Sequence, residues 1–409
     1  LRILVVNKFH WPKGGSERVY FDLADGYARH GHDVVPFAMR SPRNVPTPWE
    51  DRFAPEVSWT GGPLRRLRTA AAAIHSQEAA RCLRRLVRET RPDVAHLHNF
   101  HHQLSPSIVD VLREERVPAV HTLHDYKVIC PNYLLYTEGA VCERCRGGRF
   151  HHAALHRCLD GRLGPSVVAA VEMTWHRARR TLERGIRRFV SPSRFLAGKL
   201  REFGVDESRI RVVPNGVDPA AFPVSAAAGD GFVTAGRLSR EKGMPTLFRA
   251  LAAAGDARLT VCGTGPLEGD LRRWAERLAP GRVTFAGHLE RDALLARIRG
   301  ARAVVLPSEW YENAPMGALE ALASGVPVIG SALGGIPEVV RDGDTGLLFP
   351  PGDAEALAAR LRELQAGPDR ARELGARGRR LVETERSLAG QVRSMLAILE
   401  EEVASSASR

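Results

Sequence analysis

Short uninterrupted apolar runs alternate along this chain with longer stretches in which apolar residues return every three or four positions, the pattern of buried strands joined by amphipathic helices. Arg2 to Val6 is the first such run. A loop holding Lys13, Gly14 and Gly15 follows, then a helix from about Glu17 to Arg29 stopped at Gly31, and a second strand from Asp33 to Met39. Residues 41 to 75 read as irregular and then helical and basic, and two strands, Asp93 to Asn99 and Ala119 to Tyr126, end in polar residues. A long arginine-bearing helix is predicted from Val167 to about Arg188, then a strand from Phe189, a helix Leu196 to Phe203 and a strand from Ile210. From Gly231 the alternation is strict. Strands are predicted at Gly231 to Ala235, Leu259 to Cys262, Val283 to Gly287 and Ala303 to Leu306, with helices at Pro245 to Ala254 and near Ala354 to Ala366. The last helix is placed at Leu388 to Glu402, and Ser405 to Arg409 is expected to fray. Strand and helix in alternation imply an α/β chain with parallel sheets covered on both faces.

At 409 residues the chain is too long for one ordinary core, and two domains are expected: residues 1–200 and 201–387, with a C-terminal helix from about 388 to 409 returning to the first. Pro214-Asn215-Gly216-Val217-Asp218 is a turn signal between them, and Ser225 to Gly231 reads as a small-residue spacer. The net charge of +12 is uneven, with 32 Lys and Arg against 19 Asp and Glu in residues 1–200, and 27 against 28 in the rest. Arginines cluster at Arg65, Arg66 and Arg68, at Arg84 and Arg85, and between Arg177 and Arg188. Such an excess suits nucleic acid, an anionic membrane face or an acidic substrate. No zinc finger, RNA-recognition motif or basic region with heptads is present, so nucleic acid is not the expected partner. No apolar run approaches the roughly 20 residues that span a bilayer, and the expected location is the cytoplasm.

The chemistry concentrates in Glu309-Trp-Tyr-Glu312-Asn313-Ala314-Pro315-Met316-Gly317-Ala-Leu-Glu320, which leads from a buried strand into a short helix ended by Gly325. One carboxylate, Glu312, lies in the loop, and a second, Glu320, lies within the helix. Between them the amides of the first helical turn lack intrahelical partners and favour a diphosphate. Pro315 offers no N–H, so Asn313, Ala314, Met316 and Gly317 must supply the donors. Two acids flanking an anion site are suited to holding the two ends of a molecule with a phosphate middle.

With seven residues between Glu312 and Glu320, this stretch resembles the Glu-x7-Glu signature of the retaining glycosyltransferases of family 4, which have the GT-B fold of two Rossmann-like domains facing across a cleft. Where many members have Gly-Phe-Gly after the first glutamate, this chain has Asn313-Ala314-Pro315. The resemblance covers nearly the whole chain and is strongest from Val213 to Phe349. It implies transfer of a hexosyl-type group from a UDP- or GDP-linked sugar to a hydroxyl of a small-molecule, glycan or lipid-linked acceptor, with retention. It also implies roles residue by residue. Gly236-Arg237-Leu and Gly243 match the phosphate-binding loop, so Arg237 and Lys242 would neutralise the diphosphate, and Gly263 and Leu289 would border the base. Glu312 would hold the sugar, Glu320 the ribose, and Gly14 and Gly15 would approach the donor phosphates. His124, in a His-Asp pair, would meet the sugar; His98 and His101 are candidates for the acceptor side. Catalysis is expected to need no metal, since two cations and a helix end do that work. A peripheral contact with anionic membrane fits a family in which many members glycosylate lipid-linked acceptors. Sugar-nucleotide epimerisation and non-catalytic sugar-nucleotide binding are the rival readings of the same site.

Four of the six cysteines, Cys130, Cys142, Cys145 and Cys158, fall in an insertion after His124. A Cys-x2-Cys knuckle flanked by single cysteines is compatible with a structural zinc; reduced thiols and disulfides are the alternatives.

Overall fold

The computed structural model describes residues 1–57, 62–224 and 229–407. Residues 225–228 of the expected spacer lie outside the described residues. The chain divides into two compact units, one made of residues Leu1–Glu138, Glu143–Pro214 and Gln391–Arg409, the other of Gly139–Cys142 and Asn215–Gly390.

Six parallel strands form the sheet of the first unit: β1 Arg2–Val6, β2 Asp33–Phe37, β3 Val94–Leu97, β4 Ala119–Thr122, β5 Arg188–Ser191 and β6 Ile210–Val212. They lie in the order β2-β1-β3-β4-β5-β6, with Ile3 opposite Val34 on one side and Val94 on the other. Every residue of β3 and β4 is buried, the polar His96, His121 and Thr122 included, as expected of strands covered on both faces. The helix Gly15–Arg29 turns Val19, Tyr20, Leu23 and Tyr27 inward, and Gly31, at φ 82°, ends it. The closing helix, Leu388–Ala407, belongs to this unit from Gln391 onward. Gly26 makes room for it, since a Cβ there would stand 2.4 Å from Val392. Arg188 anchors its far end through Glu401 and Glu402 at 3.0 and 2.8 Å. The helix runs to Ala407, two residues beyond Ser405 where fraying is expected to begin, and residues 408–409 lie outside the described residues.

Two further expectations are corrected. The boundary at 200 falls inside the first unit, because the helix Arg194–Glu202 and β6 complete its sheet before the chain leaves at Pro214. The long helix from Val167 to Arg188 is in fact two, Leu163–Ala178 and Thr181–Gly185. Arg180 takes a left-handed conformation at φ 53° between them, and β5 has already begun at Arg188.

The second unit has its own six parallel strands, β7 Phe232–Ala235, β8 Leu259–Cys262, β9 Val283–Gly287, β10 Ala303–Leu306, β11 Val328–Ser331 and β12 Gly346–Phe349, in the order β9-β8-β7-β10-β11-β12. The chain winds outward from β7 in one direction, returns, and continues from β10 in the other. The point where the order reverses lies between β7 and β10, and the loops leaving the carboxyl ends of those strands border the crevice where such sheets bind ligands. Core layers lie on both faces, one built around Leu247, Phe248 and Leu361, the other around Leu319, Leu322 and Ile336.

Candidate active site

At the reversal point of the second sheet, the loop after β7 carries Gly236, Arg237 and Lys242, and the loop after β10 carries Ser308, Glu309 and Glu312. Lys242 Nζ donates to Glu312 Oε1 at 2.6 Å, and Ser308 Oγ donates to the same oxygen at 2.7 Å. Burial alone would raise the Glu312 pKa; the Lys242 ammonium, its hydrogen bond and that of Ser308 outweigh this and hold the carboxyl below its ordinary value. The group is an anion at neutral pH. Lys242 also lies 5.1 Å from the centre of the Trp310 ring. The two loops are tied elsewhere as well: the Glu309 amide donates to Glu241 O at 2.9 Å and Thr246 Oγ1 to Glu309 Oε1 at 2.6 Å.

Backbone packing fixes the Glu312 loop from beneath. Gly335 N–H donates to Glu312 O at 2.6 Å, and a Cβ on Gly335 would stand 1.9 Å from Asn313 O. Gly243, at φ 64°, lets Pro307 O come to where its Cβ would be. The helix Met316–Ala323 then starts at Pro315 with no side-chain cap, so the amides of its first turn point out unblocked by a capping side chain. Gly317 and Gly236 have nothing within 4 Å of a notional Cβ. Arg237 is exposed on its loop, Ala314, Met316 and Glu320 are half-buried, and Asn313 is buried. Gly263, at the end of β8, packs so closely on Gly236 O that a Cβ would stand 2.0 Å away, and its amide donates to Gly287 O at 2.6 Å. Leu289 packs against the core with Met316. Thus the structure joins Lys242 to Glu312 directly and sets the other expected donor-side residues of this unit on the loops and helix around them.

The first unit shows a different chemistry at the carboxyl ends of its strands. His98 Nδ1 and His124 Nε2 share a hydrogen bond at 2.8 Å with their rings stacked 5.1 Å apart. Burial and then the Lys8 charge lower the His124 pKa to about 4, and burial with three neighbouring histidines lowers that of His98 well below normal, so both are neutral at pH 7. Lys8, at the end of β1, is itself pushed below its ordinary value by burial, with Asp125 and Glu17 acting against the shift. Gly14 adopts an extended φ of −170°, and a Cβ there would touch only Glu17 Oε2, at an ordinary 3.6 Å. Nothing among the described residues demands glycine at that position. His101 does not join His98 and His124: its Nδ1 lies 3.5 Å from Glu172 Oε1, at a cavity of about 300 Å³ that Phe150, Met173 and Phe189 also line.

Among the described residues no group of three or more His, Cys, Asp and Glu side chains is arranged to hold a metal ion. The quartet expected to bind zinc is therefore not assembled as ligands. Cys130 donates to Asn132 Oδ1 at 2.8 Å, and Cys145 packs with Phe150 and Met173. The sequence reading also missed four participants: Lys8, Ser308, Gly334 and Gly335. The two glycines were visible as a Gly-Gly turn before Pro337, but their contact with the Glu312 loop was not.

The model of Glycosyltransferase Family 4 matches residues 13–221, and that of Glycosyl transferases group 1 matches residues 229–381. Among curated proteins, the chain is 29% identical over 394 residues to the glycogen synthase of Mycobacterium tuberculosis, covering 90% of this chain and 87% of that one. It is 29% identical over 386 residues to the D-inositol 3-phosphate glycosyltransferase of Acidothermus cellulolyticus, covering 86% and 78%. Among solved structures, sucrose-phosphate synthase from Thermosynechococcus elongatus matches with a TM-score of 0.74 at 23% identity, over 99% of this chain and all of that one. Anabaena HepE in complex with UDP and glucose matches with a TM-score of 0.69 at 16% identity, over 98% and 99%. These structures carry the GT-B fold to this chain.

Proposed function

The chain belongs to glycosyltransferase family 4, and from that premise we propose that it is a retaining hexosyltransferase using a UDP- or GDP-linked sugar and a hydroxyl acceptor. The observation that carries this reading is the Lys242–Glu312 contact at the reversal point of the second sheet, beside an uncapped helix start. Lys242 pairs with Glu312 at 2.6 Å. A diphosphate placed over the amides of Asn313, Ala314, Met316 and Gly317 offers Lys242 a more highly charged partner, and Arg237 is exposed on the same loop to join it. Moving the ammonium onto phosphate frees Glu312 Oε1 to accept hydrogen bonds from the sugar hydroxyls, while Ser308 keeps the carboxylate aimed. With the ammonium on phosphate and the carboxylate on the sugar, the two residues grip neighbouring parts of one donor.

In the reaction the bond from the anomeric carbon to the diphosphate oxygen breaks. A bond to the acceptor oxygen forms on the same face, and the acceptor proton leaves with the diphosphate. Arg237, Lys242 and the amides stabilise the charge growing on the leaving group, the largest contribution expected of such a site. Glu320 takes the ribose hydroxyls, Gly263 and Leu289 border the base, and the exposed Gly14 and Gly15 serve the donor phosphates. His124, neutral and oriented by His98, donates to or accepts from a sugar hydroxyl without adding charge.

The test is a thermal-shift series with UDP, GDP and their hexose conjugates, followed by product analysis with hydroxyl acceptors. A matching nucleotide raises the melting temperature, and its sugar appears on the acceptor with unchanged anomeric configuration. If no nucleoside diphosphate or sugar nucleotide shifts the melt, the reading fails. Release of an isomerised sugar without acceptor replaces it with epimerisation.

A further inference from the structure

The cavity of about 300 Å³ that His101 borders has two unlike ends. Its inner end is polar and closed. Lys127 and Glu172 meet there at 2.8 Å, and His101 stands beside them, 9% exposed, its Nε2 buried with no hydrogen-bond partner among the described residues. Burial lowers the His101 pKa against the pull of Glu172, so the ring is neutral at pH 7 and can pair with a hydroxyl. The walls are apolar, with Ile129, Phe150, Met173 and Phe189 buried along them. The exposed part of the lining lies elsewhere: Glu183 comes just ahead of β5 and Asp206 just ahead of β6, so the cavity opens at the amino-terminal edge of the parallel sheet. His98 and His124 follow β3 and β4 at the carboxyl edge. Cations gather at the mouth. Glu183 is paired with Arg180, and Asp206 Oδ1 accepts from the Ser208 amide and hydroxyl at 3.0 and 2.9 Å. Arg177, which lies across Gly148, and Arg209, 5.4 Å from the centre of the Phe189 ring, make no ion pair among the described residues. A broader hollow of about 890 Å³ shares Glu183, Asp206 and Arg209 with this mouth and adds Arg113, Arg116, Arg184 and Arg187, so the field there favours an anion.

We propose that this cavity is a binding site, separate from the sugar-transfer site, for a small apolar hydroxy acid, with its body between Phe150, Met173 and Phe189, its hydroxyl on His101 and its carboxylate on Arg177 and Arg209. A few convergent polar groups in an otherwise apolar pocket are what fix a ligand's orientation. Here the two ends differ in charge. Glu172 repels a second carboxylate from the inner end, where Lys127 already neutralises it, while the mouth offers two guanidinium groups that lack a partner. The hydroxyl is enclosed by buried side chains, so a bound molecule does not present it for transfer. This inference stands on the first unit alone and does not rest on the sugar-transfer reading.

The test is calorimetric titration of the full chain with para-hydroxyphenylacetate, phenylacetate and para-hydroxyphenylacetamide. The hydroxy acid is expected to bind with a Kd below about 1 mM. It should bind about fivefold more tightly than the acid without the hydroxyl and about tenfold more tightly than the uncharged amide. Arg177→Gln with Arg209→Gln should abolish the preference for the acid over the amide, and His101→Phe the preference for the hydroxyl. Should His101→Phe fail to fold, the arginine variant at the mouth still decides the case. The proposal is overturned if none of the three compounds binds below about 1 mM, if all three bind alike, or if the arginine variant keeps its preference for the acid. It is equally overturned if the hydroxyl of the bound compound acquires a sugar from a sugar nucleotide, which would make the cavity an acceptor pocket. The titration itself needs no sugar nucleotide, so a failure to bind leaves the sugar-transfer reading standing.

Discussion

Two lysine–glutamate pairs of similar length serve opposite ends in this molecule. Lys127 and Glu172 meet at 2.8 Å in the first unit with side chains 3% and 2% exposed, and Lys242 and Glu312 meet at 2.6 Å in the second with 25% and 10%. The sealed pair has its carboxylate held between Lys127 and two histidines at 3.5 Å, His101 and His102. Lys127 and Glu172 both border the cavity beside His101, yet neither side chain is more than 3% exposed. The open pair keeps its carboxylate buried but leaves the lysine end reachable, so the ammonium can be exchanged for phosphate. Access to one partner, rather than the strength of the contact, separates a fastening from a working part.

Activity should break the comparison most sharply. Lys242→Ala and Glu312→Ala are each expected to lower turnover on the order of 10²–10³-fold, the size of effect seen when a transition-state charge contact is removed. Circular dichroism and the melting profile should show the fold intact. Near-normal turnover in either variant would remove that residue from the mechanism. For the sealed pair the expected effect falls on stability. Lys127→Met strands a buried carboxylate and should cost about 3–5 kcal/mol in urea unfolding, and Lys127→Met with Glu172→Leu should recover most of it. Failure of the double variant to recover would mean that the pair does more than neutralise itself.

A smaller effect probes how the open pair is aimed. Gly335 has φ −86°, which any residue adopts, so only space demands glycine there, and its notional Cβ lies 1.9 Å from Asn313 O. Gly335→Ala must push the Glu312 loop aside, at about 1–3 kcal/mol by analogy with overpacking. The Kd for the nucleoside diphosphate sugar should rise more than that for the free nucleoside diphosphate, because the displaced group is the one assigned to the sugar. Equal losses for both ligands would count against that assignment.

What the sequence disclosed of these two regions differs for a physical reason. The open site is built largely from groups close in the chain to strand ends: Gly236, Arg237 and Lys242 after one apolar run, Glu312 after another. Periodicity finds the runs and therefore the loops. The sealed pair joins residues 45 positions apart through a helix whose register only the structure reveals. Glu172 sits in a helical pattern where an acid is usually solvated, and nothing local says it turns inward. The break at Arg180 was equally hidden, since arginine carries no signal for a left-handed residue where glycine or proline would. Two parallel sheets, their strands and the return of the last helix were all legible, because burial on both faces leaves continuous apolar runs. The cysteine spacing was compatible with a metal cluster among other readings, but spacing constrains distance only within the knuckle.

Acid separates the two regions last and by the least. Burial depresses His124 to about 4 and holds His98 well below its ordinary value, so as pH falls from about 6.5 the unfolded chain takes up protons that the folded chain refuses, and stability declines. Glu172 and Glu312 are both held below the ordinary carboxylate value, so their stabilisation is complete above about 4.5 and is lost only as pH drops through their folded values. A two-stage loss is expected in urea titrations, the upper stage from histidines and the lower from the two ion pairs. His124→Gln should shrink the upper stage by on the order of 1 kcal/mol and leave the lower unchanged. Lys127→Met with Glu172→Leu should do the reverse. If both variants flattened the same stage, the histidine pair and the sealed ion pair would be titrating as one system.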